Sequence, residues 1–390
     1  MKRKSSRTKI PIKRDDVSST DGWEVSGSLL IKNYGATAQE KVIAMDMDGT
    51  LINTKSGKTF ATSKDDWVLF TPKVKDILTD YHKKDYLIAI LSNQNGISKG
   101  KAKSSDILHK VTAIQASLAI PLIFICAIDD DINRKPSTGM WKYLSSYFKD
   151  KPDPKKSIYV GDAAGRSKNP STGKKDFSDG DIKFAKNAGL EFKTPEEFFL
   201  GSTVSVVVDD SLSKIPTDGS VFSDKSSSIT SDKQEVVLFV GSPGSGKSTF
   251  WGNYMKSYHR VNRDTLKTPV KCLASLKEGL ESKKSCVIDN TNRDPETRKP
   301  FIDMAKSYGV QVRCFVFDME KKFALHLDNQ RNINTNREHL SKRVGKMPIN
   351  IYYAQYKAPT ISEGFTEIKK VQFVAKFVNE KDKECFNQAS

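Results

Sequence analysis

Short apolar runs, separated by polar stretches with helical periodicity, recur along most of this chain. The runs at residues 42–45, 86–91, 122–125 and 158–160 predict buried strands, and the stretches at 73–83 and 103–117 predict helices between them. A second series contains runs at 236–240, 285–288 and 312–317. Strands that alternate with helices favour mainly parallel sheets covered on both faces, so we expect an α/β fold in both halves.

The alternation is interrupted in two places, which predict the domain boundaries. Residues 1–38 are basic with little periodicity and predict a flexible arm. Residues 201–232 are rich in serine and aspartate and predict a linker, in which the apolar run at 204–208 is either a strand or a docking segment. Two α/β domains are then expected at 39–200 and 233–390, and a chain of 390 residues is long enough for each to bury its own core.

Charge and composition narrow the possible partners and compartment. The chain has 64 Lys and Arg against 47 Asp and Glu, a net charge of +17, which favours a polyanionic partner over a merely soluble basic surface. The charge alone fits DNA, RNA and an acidic membrane equally. The basic cluster Lys2-Arg3-Lys4 is typical of nuclear import or nucleic-acid contact. The five cysteines have no paired spacing, which favours a reducing compartment. No apolar run approaches the roughly 20 residues needed to cross a bilayer.

The predicted strands of the first domain are followed by residues suited to phosphate removal. The candidates, in chain order, are Asp46 and Asp48 in D-M-D-G-T, Ser92, Lys135 and Asp162. Because parallel strands bring their carboxyl ends to one edge, these side chains are expected to meet there. One carboxylate can attack phosphorus, and the other can give a proton to the leaving oxygen. Clustered carboxylates also require a cation, so Mg²⁺ is expected. Asp176 either joins this acidic cluster or is a surface residue.

A glycine-rich loop opens the second domain between a predicted strand and a predicted helix. Residues 241–248, G-S-P-G-S-G-K-S, fit the phosphate-binding pattern G-x-x-x-x-G-K-[ST] in the context that it requires. Lys247 would neutralise the β- and γ-phosphates of ATP, and Ser248 would hold Mg²⁺. The predicted nucleotide-binding residues are Gly241, Ser242, Gly244, Ser245, Gly246, Lys247, Ser248 and Thr249.

Three further residues are candidates for the phosphate acceptor side of this second site. Asp264 can accept a proton from a substrate hydroxyl, as a kinase requires of its general base. Asp289 ends the next strand and is predicted to contact either the metal shell or the substrate. Arg331 either belongs to a lid over the transferred phosphate or is an exposed charge on a helix.

These motifs resemble those of two known families. The strand-end residues of the first domain are similar to the four motifs of the haloacid dehalogenase superfamily. That resemblance implies that Asp46 is the nucleophile, Asp48 the acid–base group, Ser92 and Lys135 the phosphate-binding residues, and Asp162 a metal ligand along with Asp46 and Asp48. The order of a phosphatase followed by a P-loop kinase resembles the polynucleotide kinase 3′-phosphatase family. The segments that carry this second resemblance are residues 46–52, 134–141, 161–166, 194–199, 261–266, 288–292 and 356–360.

The second resemblance implies an enzyme that removes 3′-phosphates and phosphorylates 5′-hydroxyls at DNA breaks. It makes Asp264 the kinase base and Arg331 a lid arginine, with Mg²⁺ and ATP as cofactors. The expected substrates are nicks, gaps and double-strand ends, and a nuclear monomer that meets a repair ligase or scaffold proteins is expected. Vertebrate members carry a forkhead-associated domain, for which residues 1–38 are too few, so its absence is expected. The alternatives are an RNA end-healing enzyme, a DNA-break-binding scaffold with one active domain, and a small-metabolite kinase joined to a phosphatase.

Overall fold

The computed structural model describes residues 22–206, 221–222, 228–333, 343–375, 377 and 379–388. The chain forms two compact units, of which the first contains residues 1–210 and 388–390 and the second contains residues 211–387. No helix within these described ranges is long and apolar enough to span a membrane.

The first unit alternates strands and helices along most of its length. Its strands are β1 (Glu24–Ser26), β2 (Leu29–Tyr34), β3 (Lys41–Met45), β4 (Ile52–Asn53), β5 (Val68–Leu69), β6 (Tyr86–Asn93), β7 (Leu122–Ala127), β8 (Ile158–Val160) and β9 (Glu191–Lys193). Its helices are α1 (Val74–Lys83), α2 (Ser104–Leu118), α3 (Gly139–Tyr147), α4 (Gly180–Ala188) and α5 (Pro195–Leu200). The strands and helices predicted at residues 42–160 are therefore confirmed to within a few residues at each end.

A seven-stranded sheet in the order β1-β2-β7-β6-β3-β8-β9 is the centre of this unit. The strands from β7 to β9 pair in parallel, which places the carboxyl ends of β6, β3 and β8 side by side. Successive residues of β3 point to opposite faces, so that Ile43 and Met45 pack with α1 and α2, and Val42 and Ala44 pack with α3 and α4. The prediction of a mainly parallel sheet between two helical layers is confirmed.

The prediction that residues 1–38 form a flexible arm is wrong from residue 24 onward. β1 and β2 form an antiparallel pair, and β2 pairs antiparallel with β7 at the edge of the sheet. Leu29, Leu30 and Ile31 are buried, and their side chains contribute to both faces of the core. This apolar triplet is too short to stand out from its polar flanks. Residues 1–21, with the basic cluster, lie outside the described ranges.

The second unit also alternates strands and helices. Its strands are β10 (Glu235–Gly241), β11 (His259–Val261), β12 (Cys286–Ile288), β13 (Gln311–Phe317) and β14 (Glu367–Lys370). Its helices are α6 (Lys247–Tyr254), α7 (Arg263–Leu266), α8 (Pro269–Glu281), α9 (Pro295–Ser307), α10 (Lys321–Ile333), α11 (Lys346–Gln355) and α12 (Glu380–Asn387). The five strands form a parallel sheet in the order β11-β12-β10-β13-β14, with apolar clusters on both faces.

The end of the predicted linker at residues 201–232 belongs to this second unit. Phe222 is 3% exposed, forms an antiparallel bridge with Val371, and packs against Phe250 and Phe315. The backbone carbonyls of residues 228 and 229 accept hydrogen bonds from the Arg313 guanidinium. The linker prediction is therefore wrong at these residues, while 207–220 and 223–227 lie outside the described ranges.

Candidate active sites

The first site is built where β3, β6 and β8 end next to one another. Asp46 follows β3 directly, Ser92 is the second-to-last residue of β6, and Asp162 follows β8 by two residues. The backbone N–H of Asp46 donates to the carbonyl of Val160 at 2.9 Å, which holds the end of β3 against the end of β8. The parallel pairing therefore brings together the residues that the sequence analysis predicted to meet at one edge.

The D-M-D-G-T turn packs directly on the loop of Asp162. The Thr50 hydroxyl accepts from the backbone N–H of Asp162 at 2.9 Å and donates to its carboxylate at 3.3 Å. Gly49 has a φ of +85°, and a Cβ at this position would lie 2.7 Å from the Asp162 carboxylate. Only glycine fits this left-handed, close approach, so the turn sequence itself positions Asp162 relative to Asp46.

Asp46, Asp162 and Asp181 bring carboxylate oxygens within 4.8 Å of one another. The buried Lys135 ammonium lies between two of them, with Nζ 2.8 Å from Oδ1 of Asp46 and 2.8 Å from Oδ1 of Asp181. Tyr159 accepts from the same ammonium at 2.6 Å. Lys135 is itself held by Asn93, whose side-chain amide exchanges two hydrogen bonds with its backbone.

Burial and mutual repulsion make this cluster unfavourable for ionised carboxylates. Burial raises the pKa of Asp46 to about 7, Asp181 and Asp48 add to the shift, and Lys135 opposes it. Burial raises the pKa of Asp162 well above its usual range, with further repulsion from Asp181 and Asp46. One lysine leaves the three carboxylates with excess negative charge. A hard divalent cation with a preference for carboxylate oxygens, such as Mg²⁺, fits this donor set.

Asp48 has a different environment from the other predicted residues. Its side chain is half exposed, and the structure does not bring its carboxylate into the group of three. Gln94 donates to one oxygen of Asp48 at 2.9 Å and also to the hydroxyl of Ser92, while the buried Lys110 lies 3.5 Å from the other oxygen. The geometry places Asp48 beside the cluster, where it suits proton transfer rather than the shared cation position.

Several residues of this site are not among those predicted from the sequence. Asp181, at the start of α4, is the third member of the carboxylate cluster. Asp176, for which this position was one of two predictions, instead forms a buried ion pair with Arg166. The acidic stretch at residues 179–181 was a signal for it, but nothing in the spacing chooses among these aspartates. Gln94 and Lys110 carry no motif, and they are recognisable only from the structure.

The second site lies at residues 241–248, which join the end of β10 to the start of α6. Gly246, at the helix start, has a φ of +86°, which turns the loop toward the N-terminus of α6. Lys247 is buried, and its Nζ donates to the carbonyls of Gly241 at 2.9 Å and Ser242 at 2.7 Å. Burial lowers the pKa of Lys247 to about 8, Asp289 and Asp264 oppose the shift, and Arg331 adds to it.

Asp289 joins the loop to the neighbouring strand. The Ser248 hydroxyl donates to its buried carboxylate at 2.8 Å, and Arg260 donates to the same oxygen at 2.9 Å. A hydroxyl and a carboxylate are oxygen ligands suited to Mg²⁺ that also binds nucleotide phosphates. The structure thus brings Asp289 to the predicted metal residue Ser248.

Asp264 and Arg331 lie near enough to Lys247 for their charges to affect its pKa. Asp264 is exposed in α7, whose N-terminus is capped by the side chain of Asn262. Burial lowers the pKa of Arg331, with Asp328 and Asp264 opposing the shift. Arg331 also lines a cavity of about 170 Å³ together with Thr249 and the glycine-rich loop. Arg331 is therefore part of the cavity wall and not an isolated charge on the surface, and its role as a lid arginine stays a prediction.

The rest of this cavity is mostly apolar. Its walls include Phe250, Leu327, Val371, Phe373 and Phe386. A flat, weakly polar group beside a phosphate-binding loop suits such a space.

Comparisons with known proteins match both halves of the chain. The family model described as "Polynucleotide kinase 3 phosphatase" matches residues 41–199, and a model described as "AAA domain" matches residues 266–347. The chain is 38% identical to a bifunctional polynucleotide phosphatase/kinase from Schizosaccharomyces pombe, over 90% of this chain and 84% of the relative. It is 32% identical to a putative bifunctional polynucleotide phosphatase/kinase of Acanthamoeba polyphaga mimivirus, over 85% of each chain.

A third relative matches only part of the chain. The polynucleotide 3′-phosphatase of Saccharomyces cerevisiae is 33% identical over 41% of this chain and 87% of its own length. Because these first two alignments cover 90% and 85% of this chain, each extends into both of the units described above. This chain belongs to the family of bifunctional polynucleotide phosphatase/kinases.

Proposed function

We propose that this chain repairs the two termini of broken DNA strands, removing 3′-phosphates in its first unit and phosphorylating 5′-hydroxyls with ATP in its second. The observation that carries the proposal is the presence, in one chain of this family, of a carboxylate cluster bridged by Lys135 and a phosphate-binding loop that contains Lys247. The first arrangement suits nucleophilic removal of a phosphate, and the second suits phosphoryl transfer.

The phosphatase reaction follows from the positions of Asp46 and Asp48. The Asp46 carboxylate attacks phosphorus, the bond to the 3′-oxygen breaks, and the proton of Asp48 passes to that oxygen. Water then attacks the aspartyl-phosphate and gives a proton to Asp48, which releases phosphate and restores Asp46. Ser92 and Lys135 would hold the phosphate oxygens. Mg²⁺ held by Asp46, Asp162 and Asp181 would offset the negative charge of these groups.

The kinase reaction uses the loop and the residues opposite it. Asp264 accepts the proton of the 5′-hydroxyl, whose oxygen attacks the γ-phosphorus while the bond to the β-phosphate oxygen breaks and ADP leaves. Lys247 and Arg331 would stabilise the charge on the transferred group, and Ser248 with Asp289 would hold Mg²⁺. The apolar cavity beside Thr249 would receive the adenine base.

Two loops of the first unit support a nucleic acid as the substrate. Each is built around a buried aspartate that accepts several hydrogen bonds, Asp66 in one and Asp176 in the other. The two loops expose Phe60 and Phe177, whose exposed fractions are 75% and 89%. Exposed aromatic rings among cations are typical of surfaces that stack bases and contact phosphates. The exposed lysines of these loops are Lys55, Lys58, Lys64, Lys168, Lys174 and Lys175.

The excess of basic residues agrees with DNA binding, and we extend the proposal to a nuclear monomer that acts in single-strand break repair before a ligase. The test compares 3′-phosphorylated DNA and RNA oligonucleotides of the same sequence, with release of inorganic phosphate as the measurement. Faster turnover of DNA is expected. Equal or faster turnover of RNA would instead favour an RNA end-healing enzyme.

A further inference from the structure

Lys110 has an unusual position for a lysine. It lies in α2 between Ile107, Val111 and Ile114, all of which pack in the apolar core, and it is only 5% exposed. Its spacing of three residues from Ile107 and four from Ile114 places it on the buried stripe of the helix. A buried ammonium is costly unless it has a charged partner, so this position requires an explanation beyond packing.

The explanation lies in the carboxylate that Lys110 faces. Among the described residues, the one ion pair of Lys110 is with Asp48, at 3.5 Å from Nζ to Oδ1. The other oxygen of Asp48 accepts from Gln94 at 2.9 Å, and Gln94 also donates to Ser92 at 2.9 Å. The two oxygens of this half-exposed carboxylate are thus fixed from two sides, one of them by a charge that comes from the core.

We propose that Lys110 is a positioning residue for the proton transfer by Asp48. This inference rests on the proposed phosphatase function and names a residue that the reaction needs but that does not touch the substrate. When Asp48 gives its proton to the leaving 3′-oxygen, a negative charge develops on the carboxylate that faces Lys110. A fixed cation at this point stabilises that charge without having to reorganise.

The leaving group decides how much this arrangement matters. A 3′-oxygen of a sugar is a poor leaving group and needs the proton of Asp48 as the bond to phosphorus breaks. Nitrophenolate is a stable anion and leaves without it. Loss of a cation beside Asp48 weakens this residue as an acid but not as the base that later accepts the proton of water. The resulting defect must therefore be large for a 3′-phosphorylated oligonucleotide and small for p-nitrophenyl phosphate, whereas general damage to the site slows both.

The test compares both substrates at saturating Mg²⁺ for the full-length wild type and Lys110→Met, with Lys75→Met as the control. Lys75 is an exposed lysine on α1, which packs on the same face of the sheet. We expect Lys110→Met to lower kcat for the oligonucleotide about tenfold or more, within the range of a general acid, and for nitrophenyl phosphate less than about twofold. Equal losses on both substrates, or no loss, would overturn the inference.

Two further variants keep the test decisive. Lys110→Met in an Asp48→Asn background should cause no additional loss, because the residue through which Lys110 acts is already disabled. If the losses of turnover caused by Lys110→Met and Asp48→Asn multiply in the double variant, Lys110 does not act through Asp48. Lys110→Arg keeps the cation and should retain more oligonucleotide turnover than Lys110→Met. If the wild type itself leaves 3′-phosphates intact, the proposed function fails, which is a different result from loss of substrate selectivity in the variants.

Discussion

Replacing Asp46 with asparagine should stabilise the first unit while it abolishes phosphatase activity. Asp46 has a pKa of about 7 in the folded protein, against an ordinary value of 3.8. Because the folded-state pKa is raised, ionisation of this group opposes folding. The part of the free energy of unfolding that depends on protonated Asp46 is fully present below pH 4 and is lost as the pH rises to 7. The difference of roughly 3 pKa units corresponds to a free energy on the order of 4 kcal/mol at pH 8 without divalent cations.

Amide hydrogen exchange read by mass spectrometry measures this effect within the full-length chain. In EDTA at pH 8, the amides of β3 and β8 should exchange more slowly in Asp46→Asn than in the wild type, and those of β10, in the other unit, should not change. The difference between the two proteins in the free energy of unfolding should fall to about a third at pH 5. Most of the loss of stability that ionised Asp46 causes in the wild type arises between pH 5 and 7. Asp76→Asn, a change at an exposed position of α1, is the matched control.

Added Mg²⁺ provides the second half of this experiment. A cation that binds only the folded cluster stabilises the wild type more than Asp46→Asn, which has lost one of the three carboxylates. The difference in amide exchange between the wild type and Asp46→Asn should therefore become smaller as Mg²⁺ is added. If Asp46→Asn exchanges faster than the wild type at pH 8 in EDTA, the account of the buried, mutually repelling carboxylates is wrong.

Three other predictions follow from the two sites. Asp181→Asn should raise the Mg²⁺ concentration required for half-maximal phosphatase activity at least about tenfold and leave the kinase unchanged; an unchanged Mg²⁺ titration would exclude Asp181 from the metal site. Asp264→Asn should lower the kinase kcat by about 10²- to 10⁴-fold while ATP binding, measured by equilibrium dialysis, changes less than about twofold; a parallel loss of ATP binding would contradict its role as a base. Phe177→Ala should raise KM for a 3′-phosphorylated single strand about fivefold or more without affecting nitrophenyl phosphate, and an equal effect on both substrates would argue against base stacking.

The strand-end residues were predictable because apolar β-branched runs mark buried parallel strands, and the residues after them meet at one edge. Asp46, Asp162, Lys247 and Ser248 fall where this rule places them. The choice of Asp181 over Asp176 was not predictable. It depends on Lys135, which reaches Asp181 from a loop about 45 residues earlier in the chain, and on Arg166, which neutralises Asp176.

Two other features were hidden for a similar reason. β2 joins the sheet by pairing with β7, far away in sequence, and β1 pairs with β2, so a three-residue apolar run is enough to anchor both strands. Lys110 looks like an ordinary polar residue of an amphipathic helix until its position among Ile107, Val111 and Asp48 is known. Local patterns identify elements, whereas contacts between distant segments decide which polar residues share a site.

The most direct test of two independent sites in one chain uses a nicked duplex with a 3′-phosphate and a 5′-hydroxyl at the nick. The duplex is incubated with ATP and Mg²⁺, and both termini are read by denaturing electrophoresis. The wild type should yield a 3′-hydroxyl and a 5′-phosphate. Asp46→Asn should leave the 3′-phosphate in place and still phosphorylate the 5′-end, and Lys247→Ala should do the reverse. Loss of both activities in either folded variant would contradict the account.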